Sequence, residues 1–322
     1  MLADGDVVRT GQWGITSGNS PSAFLSKFSF GPSVEGLFWQ SNLGIVTKMS
    51  LWMAPQPGAY MACSFSVPEF EDVEGLVDAM GVMRRDGLIP SVVWVSSVVE
   101  GLSIFGKRRD YWDGEGAIPD WRVKQLQEER GMGYWVARFG LYGARRVIQA
   151  HFDEIKDILS KKVPAGTLTG RLFAAEKGEL LDARSVPFEH GNVFVGVPSL
   201  MALPLVNWPL KGHGKEKPAH GDYAPIIPSS GKKVLEWMQA VKPTFEASGR
   251  ELMTDFFMHE RHIVATNMYT FDQNDPDDCK AVRKLFLDLH EASKERGYGM
   301  YRGHVEHMGA SSPLEDYANV QI

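Results

Sequence analysis

Cysteine is almost missing from this chain: Cys63 and Cys279 are the only two in 322 residues. Two thiols cannot build a disulfide framework or a cysteine-rich metal site, so they read as packed thiols or as the mark of a reducing compartment. No run approaches the ~18 apolar residues that a membrane span requires. The opening Met1-Leu2-Ala3-Asp4-Gly5 lacks the basic and apolar regions of a signal peptide. The expected location is intracellular, cytoplasmic with the peroxisome as the alternative, and no membrane partner is expected. Long single-sign charge runs are missing as well. Lys and Arg number 34 against 40 Asp and Glu, a net charge of −6, which argues against a nucleic-acid partner and for a small-molecule one.

What is present is material for a core: 43% hydrophobic and 11% aromatic residues, over enough length for one large or two medium domains. Asp4-Gly5 reads as a hairpin turn with Val7-Val8 starting the returning strand. Ala59 to Val67 alternates as a strand and Glu69 to Arg85 carries a helical stripe of Val73, Leu76, Val77, Met80 and Met83. Ser91 to Ser97 is again a strand. The pattern returns in Tyr134 to Tyr142, Ala144 to Lys161 and Thr167 to Phe173. A third unit runs through a helix at Lys232 to Val241 and a strand at Ile263 to Phe271. Its last helix is capped by Asp275, has Pro276 at its first position and stops at Gly297. A final strand is expected at Tyr298 to Val305. Repeated units of this kind predict an α+β fold with a mostly antiparallel sheet and helices on one side, of the ferredoxin-like type.

Several motifs point to chemistry only weakly. His259-Glu260-Arg261-His262 is an H-x-x-H without the spacing of a zinc helix, and His304 and His307 have no third ligand nearby in sequence. No metal site is expected. Gly212-His213-Gly214-Lys215 lacks the spacing and hydroxyl of a phosphate loop. Gly14-Ile15-Thr16-Ser17-Gly18 has Thr where a hydrolase elbow has its nucleophile.

The stretch from Ser29 to Gly58 is more telling. Phe30-Gly31-Pro32 makes a turn, Val34, Leu37 and Phe38 one helical face, and Leu43 to Met53 alternates like a half-buried strand before Pro55 and Pro57. The order F-G-P-x-x-x-G-x-x-x-Q-S-N-x-G-I-V-T-K-x-x-x-W-x-x-P-x-P is similar to a segment of the vanillyl-alcohol oxidase family. That family includes 4-cresol dehydrogenase and eugenol oxidase, flavoenzymes that oxidise para-substituted phenols. The resemblance covers nearly the whole chain.

The resemblance implies a C-terminal remnant of an FAD-binding (PCMH-type) domain over residues 1–54. A substrate-binding cap domain would follow over 55–297, and a return segment over 298–322. It implies FAD as cofactor, faced by Asn42, Gly44, Ile45 and Val46 and linked covalently through His220, which stands upstream of an aromatic, a small residue and proline. Gly221-Asp222 departs from the apolar residues usual there. Tyr301 and Arg302, in the setting Gly299-Met300-Tyr301-Arg302, correspond to the pair that binds the phenolic oxygen and would be catalytic here. The expected wall residues near Val93, Ala202 and Leu205 are altered, while Trp208 remains. The partners implied are a small phenolic substrate, molecular oxygen or a cytochrome as electron acceptor, and a second copy in a homodimer. The resemblance also implies that more flavin domain precedes Met1, so that this chain alone would hold FAD weakly or not at all. The alternative is a non-catalytic α+β interaction module.

Overall fold

The computed structural model describes residues 1–16, 20–28, 30–39, 41–176 and 178–303. The chain forms two compact units, Met1–Pro55 and Gln56–Ile322.

The first unit has little regular structure: a one-turn helix α1 (Gly11–Ile15) and a 3-10 turn at Glu35–Phe38. The Asp4-Gly5 turn forms, with the Leu2 N–H on the Asp6 carbonyl at 2.8 Å, but Val7 and Val8 are exposed and join no ladder. Leu43 to Met53 is likewise no strand. Its Ile45 exchanges two backbone hydrogen bonds with Met1, at 2.7 and 2.8 Å, and among the described residues no other segment pairs with the run. Alternation alone does not make a strand when no second strand supplies the ladder. Gly44 is needed locally, because a Cβ there would lie 2.9 Å from the Met1 carbonyl oxygen and 3.1 Å from the Phe38 ring.

The second unit is built on one antiparallel sheet. Its first half contains β1 (Ala59–Val67), α2 (Val73–Arg85), β2 (Val93–Ser97), α3 (Val98–Phe105) and α4 (Asp120–Arg130). Then come β3 (Trp135–Gly143), α5 (Arg145–Lys162) and β4 (Thr167–Ala174). The second half contains β5 (Pro218–Tyr223), β6 (Ile226–Pro228), α6 (Gly231–Ala247), β7 (Met253–Met258), β8 (His262–Asp272) and α7 (Pro276–Glu295). The strand order is β4-β1-β3-β2-β7-β8-β5, with β6 also on β8.

Strands β4-β1-β3-β2 with α2 and α5 form a ferredoxin-like βαββαβ unit, into which α3 and α4 are inserted between β2 and β3. The second half repeats the plan. β5 and β6 lead through α6 to β7, β8 and α7, and the chain returns to bridge Met300 to Pro225 beside β6. The two halves meet where β2 pairs with β7.

Alternation sends Met61, Phe65, Trp135, Phe139, Val95, Phe256 and Ala265 to one face, where the four long helices α2, α5, α6 and α7 cover them. The helical stripes expected from the sequence do the covering: Leu76, Met80, Ile148, Ile155, Trp237, Leu285 and Phe286 are all buried. A smaller cluster of Val98, Leu126, Trp208, Met253 and Met268 lies at the α3–α4 insertion.

Several elements differ from the expected boundaries, and β5, β6 and β7 form where none was expected. α6 runs through Pro243 to Ala247, because Phe245 beyond the proline is fully buried and holds the last turn down. α3 and α4 form where no element was expected; Ser97 starts α3 by accepting the Glu100 N–H at 3.3 Å. The final strand reduces to the single bridge at Met300, and Val305 lies outside the described residues. At α7, Asp275 does cap, accepting from the Asp277 and Asp278 N–H groups. Asp275→Ala is expected to lower stability by about 1 kcal/mol in denaturant unfolding. Asparagine at the same position should restore most of it.

Candidate active site

The sheet face opposite the long helices carries a different chemistry. Tyr60, Trp94, Ser96, Arg138, Tyr142, Asp255, Phe257 and Thr266 lie on it, alternating with the core residues of the same strands. Apolar packing claims one side of each strand, and charged and aromatic groups claim the other.

At its centre the Trp94 indole donates to Asp255 Oδ2 at 2.9 Å and stacks on Phe257 with ring centroids 6.0 Å apart. The Arg138 guanidinium lies 5.5 Å from the Trp94 centroid and donates to Ser96 Oγ at 3.3 Å. Glu100, from the first turn of α3, is buried beside them. Burial pushes the Glu100 carboxyl up, and the charge of Arg138 opposes it only in part. Burial also pushes Asp255 up, to about 7, aided by the negative charge of Glu100. Towards the β4 edge, Arg171 bonds the His190 ring at 2.7 Å and lies 5.5 Å from the Phe173 centroid, while Tyr60 and Tyr142 stack at 5.7 Å.

The residues singled out in the sequence fall as follows. His220 is on β5, opposite Thr270 of β8; it is exposed, and its ring makes no hydrogen bond among the described residues. Gly221, the departure noted beside it, has a packing cause: a Cβ would meet the Tyr269 ring at 2.6 Å. Four residues on from His220, the Ala224 carbonyl accepts the Tyr301 N–H at 2.7 Å, so Tyr301 lies along the same sheet edge.

Neighbours on a regular strand point to opposite faces. Tyr301 and Arg302 escape this because they lie past the bridge and outside any strand, and the Arg302 guanidinium sits 5.7 Å from the Tyr301 ring centroid. Asn42, Gly44, Ile45 and Val46 belong to the first unit, where Ile45 and Val46 are exposed. Trp208 is buried, stacking on Tyr111 and donating to Glu251, which also pairs with Arg108 at 2.7 Å. Leu205 is buried in the same cluster and Ala202 packs against it.

His259 and His262 stack at 4.6 Å across the β7–β8 hairpin, and no group of three metal-binding side chains occurs among the described residues. His304 and His307 lie outside those residues. No described helix is long and apolar enough to cross a membrane. The sequence reading missed Trp94, Glu100, Arg138 and Asp255. The available signal was charge inside strand patterns: Arg138 in WVARFG and Asp255 in MTDFFM.

No family model matches the chain. It is 29% identical over 304 residues to the flavoprotein subunit of 4-cresol dehydrogenase [hydroxylating] from Pseudomonas putida, over 94% of this chain and 55% of that protein. The chain is a homologue of that subunit. Among solved structures it matches p-cresol methylhydroxylase with substrate bound, at 27% identity and a TM-score of 0.80, over 95% of this chain and 56% of that one. The 4-ethylphenol oxidase of Gulosibacter chungangensis has the same fold, with 24% identity and a TM-score of 0.83, over 95% and 57%. The 1'-carboxy-chondrochloren decarboxylase of Chondromyces crocatus is 24% identical over 335 residues, 96% of this chain and 61% of that protein. The chain thus spans under two thirds of the curated relatives it matches.

Proposed function

We propose that this chain is the substrate-binding part of an FAD-dependent oxidoreductase that oxidises para-substituted phenols, of the vanillyl alcohol or 4-alkylphenol type. Residues 1–54 end the flavin domain in this reading, 55–297 form the cap, and 298–322 return towards the flavin domain. The observation that carries it is the Tyr301–Arg302 arrangement, guanidinium against ring at the exposed end of the β5 edge, in a chain homologous to a 4-cresol dehydrogenase subunit.

A free phenol with a pKa of ~10 is mostly neutral at neutral pH. The Arg302 charge and the Tyr301 hydroxyl, both at the phenolic oxygen, favour the anion. The phenolate then pushes electron density to the para position, which eases loss of hydride from the benzylic carbon and leaves a quinone methide.

FAD, when bound, supplies the acceptor for that hydride. The chain offers residues that fit such a group. The His220 imidazole is exposed and without a side-chain partner among the described residues, as a covalent attachment point requires. In the first unit, the Asn42–Val46 segment with its exposed Ile45 and Val46 suits a flat ring laid against it. Oxygen or a cytochrome would re-oxidise the protein, which would work as an intracellular homodimer.

The test uses the protein carrying this chain with FAD bound. 4-Methylphenol and 4-hydroxybenzyl alcohol should be oxidised, followed by dye reduction and by hydrogen peroxide release. Failure of both phenols to reduce a bound flavin would remove the reading. Flavin should remain on the acid-denatured polypeptide and be released after His220→Ala; release from the unaltered protein would reject the covalent link alone.

A further inference from the structure

Proline has no N–H, so within a strand it leaves the carbonyl opposite it without a donor. Pro225 stands at such a point. β5 ends at Tyr223 opposite Asn267 and β6 begins at Ile226 opposite Val264, one register across the gap, which sets Pro225 opposite Ala265. The Pro225 carbonyl accepts the Ala265 N–H at 3.1 Å, but Pro225 has no N–H to give back to the carbonyl of Ala265, a fully buried residue.

Asn267 supplies the missing donor. Its Nδ2 donates to the Ala265 carbonyl at 3.0 Å and to the Tyr223 carbonyl at 2.9 Å, so one side-chain amide ties β8 to the edge just before the proline. Both neighbours are carbonyl oxygens, which fixes the orientation of the amide. Asn267 is completely buried, and its Oδ1 has no hydrogen-bond partner among the described residues. An apolar side chain of the same size would avoid the cost of that oxygen, so packing alone does not account for an asparagine here.

The outer side of the same short stretch carries the segment that leads to Arg302. The Ala224 carbonyl accepts the Tyr301 N–H at 2.7 Å, the Gly299 carbonyl accepts the Ile226 N–H at 2.8 Å, and Met300 bridges to Pro225. Tyr301 is thus seated on the part of the edge that the proline weakens. We propose that Asn267 is a positioning residue for Tyr301 and Arg302. By replacing the ladder bond that Pro225 cannot make, it holds the Ala224 carbonyl, and with it the Tyr301–Arg302 pair, in one place on the sheet edge. Its role in oxidation rests on the phenol reading above; the seating of Tyr301 does not.

The experiment follows amide exchange by NMR in the whole chain, and phenol oxidation in the flavin-loaded protein that carries it. Asn267→Leu removes the donor at nearly constant volume. The Tyr301 N–H should then exchange about tenfold faster relative to the amides of β1 and β3, the equilibrium worth of one hydrogen bond. Asn267→Ser, which keeps a hydroxyl donor, should lie between the two, and carries the same readouts if the leucine variant does not fold. In the flavin-loaded protein, Asn267→Leu should lower kcat/KM for 4-methylphenol about tenfold and move the pH profile towards the solution pKa of the phenol, as removal of Arg302 does. With Arg302→Ala already present, the leucine change should cost little more, because losses that fail to add mark a residue acting through the pair. Tyr301 exchange that is unchanged or rises only in step with β1 and β3, an unmoved pH profile, or fully additive losses would overturn the proposal. Faster Tyr301 exchange without phenol turnover in the unaltered protein keeps Asn267 as the seat of Tyr301 and removes the oxidase. Turnover with unchanged exchange does the reverse.

Discussion

Replacing Arg302 with alanine is expected to lower kcat/KM for phenol oxidation by about 10²–10³-fold, the usual cost of removing one preorganised group from a developing oxyanion. Stability should hardly change, because a cation against an exposed ring contributes about 0.5–1 kcal/mol, and Tyr301 is 49% exposed. That contrast separates a role in substrate binding from a role in packing. The pH profile should change as well. With Arg302 in place the phenolate forms below its solution pKa of ~10; without it, activity should climb towards that pKa as bulk base does the work. Lysine should recover part of the loss, since it restores the charge but not the planar fork. Unchanged kcat/KM in the alanine variant would remove Arg302 from the site.

Much of the fold was legible because it is carried by period. The stripes on α2, α5, α6 and α7 and the alternation of β1, β3 and β8 are strong enough to place each element within a few residues. Short elements were missed where the pattern serves two masters. β2 runs directly into α3, so VWVSSVVEGLSIF reads as one apolar stretch until Ser97 is seen to cap a helix. β7 is nearly all buried, Met253 facing the α3–α4 cluster while Phe256 and Met258 face the long helices, so it shows no alternation.

Leu43 to Met53 failed in the opposite way. It alternates well but, beyond the Met1–Ile45 pair, finds no neighbour among the described residues of its unit. The site divides along the same line. Tyr301, Arg302 and His220 could be named because a motif marks them, whereas the Glu100–Asp255 pair exists only once β2, β7 and α3 are assembled. No spacing in sequence brings residues 100 and 255 together, and only the β2–β7 pairing does.

That pairing makes stability depend on pH in a direction unusual for an aspartate. Asp255 rises from the ordinary 3.8 to about 7 on folding, through burial first and the Glu100 charge second. Between those limits the folded chain holds a proton that the unfolded chain releases. Stability from this group is therefore complete below the unfolded value and is lost as pH rises through the folded one. The slope is about 1.4 kcal/mol per pH unit, so between about pH 5 and about pH 8 the loss is roughly 2–3 kcal/mol. Asp255→Asn removes the titrating group while keeping the shape and an acceptor for the Trp94 N–H. Urea unfolding at both pH values should show the variant gaining that amount relative to the wild type as pH rises. Glu100→Gln should shrink the wild-type loss, because it lowers the folded value of Asp255. A difference between Asp255→Asn and wild type that stays flat over this range would mean that the Asp255 carboxyl is already ionised in the folded chain.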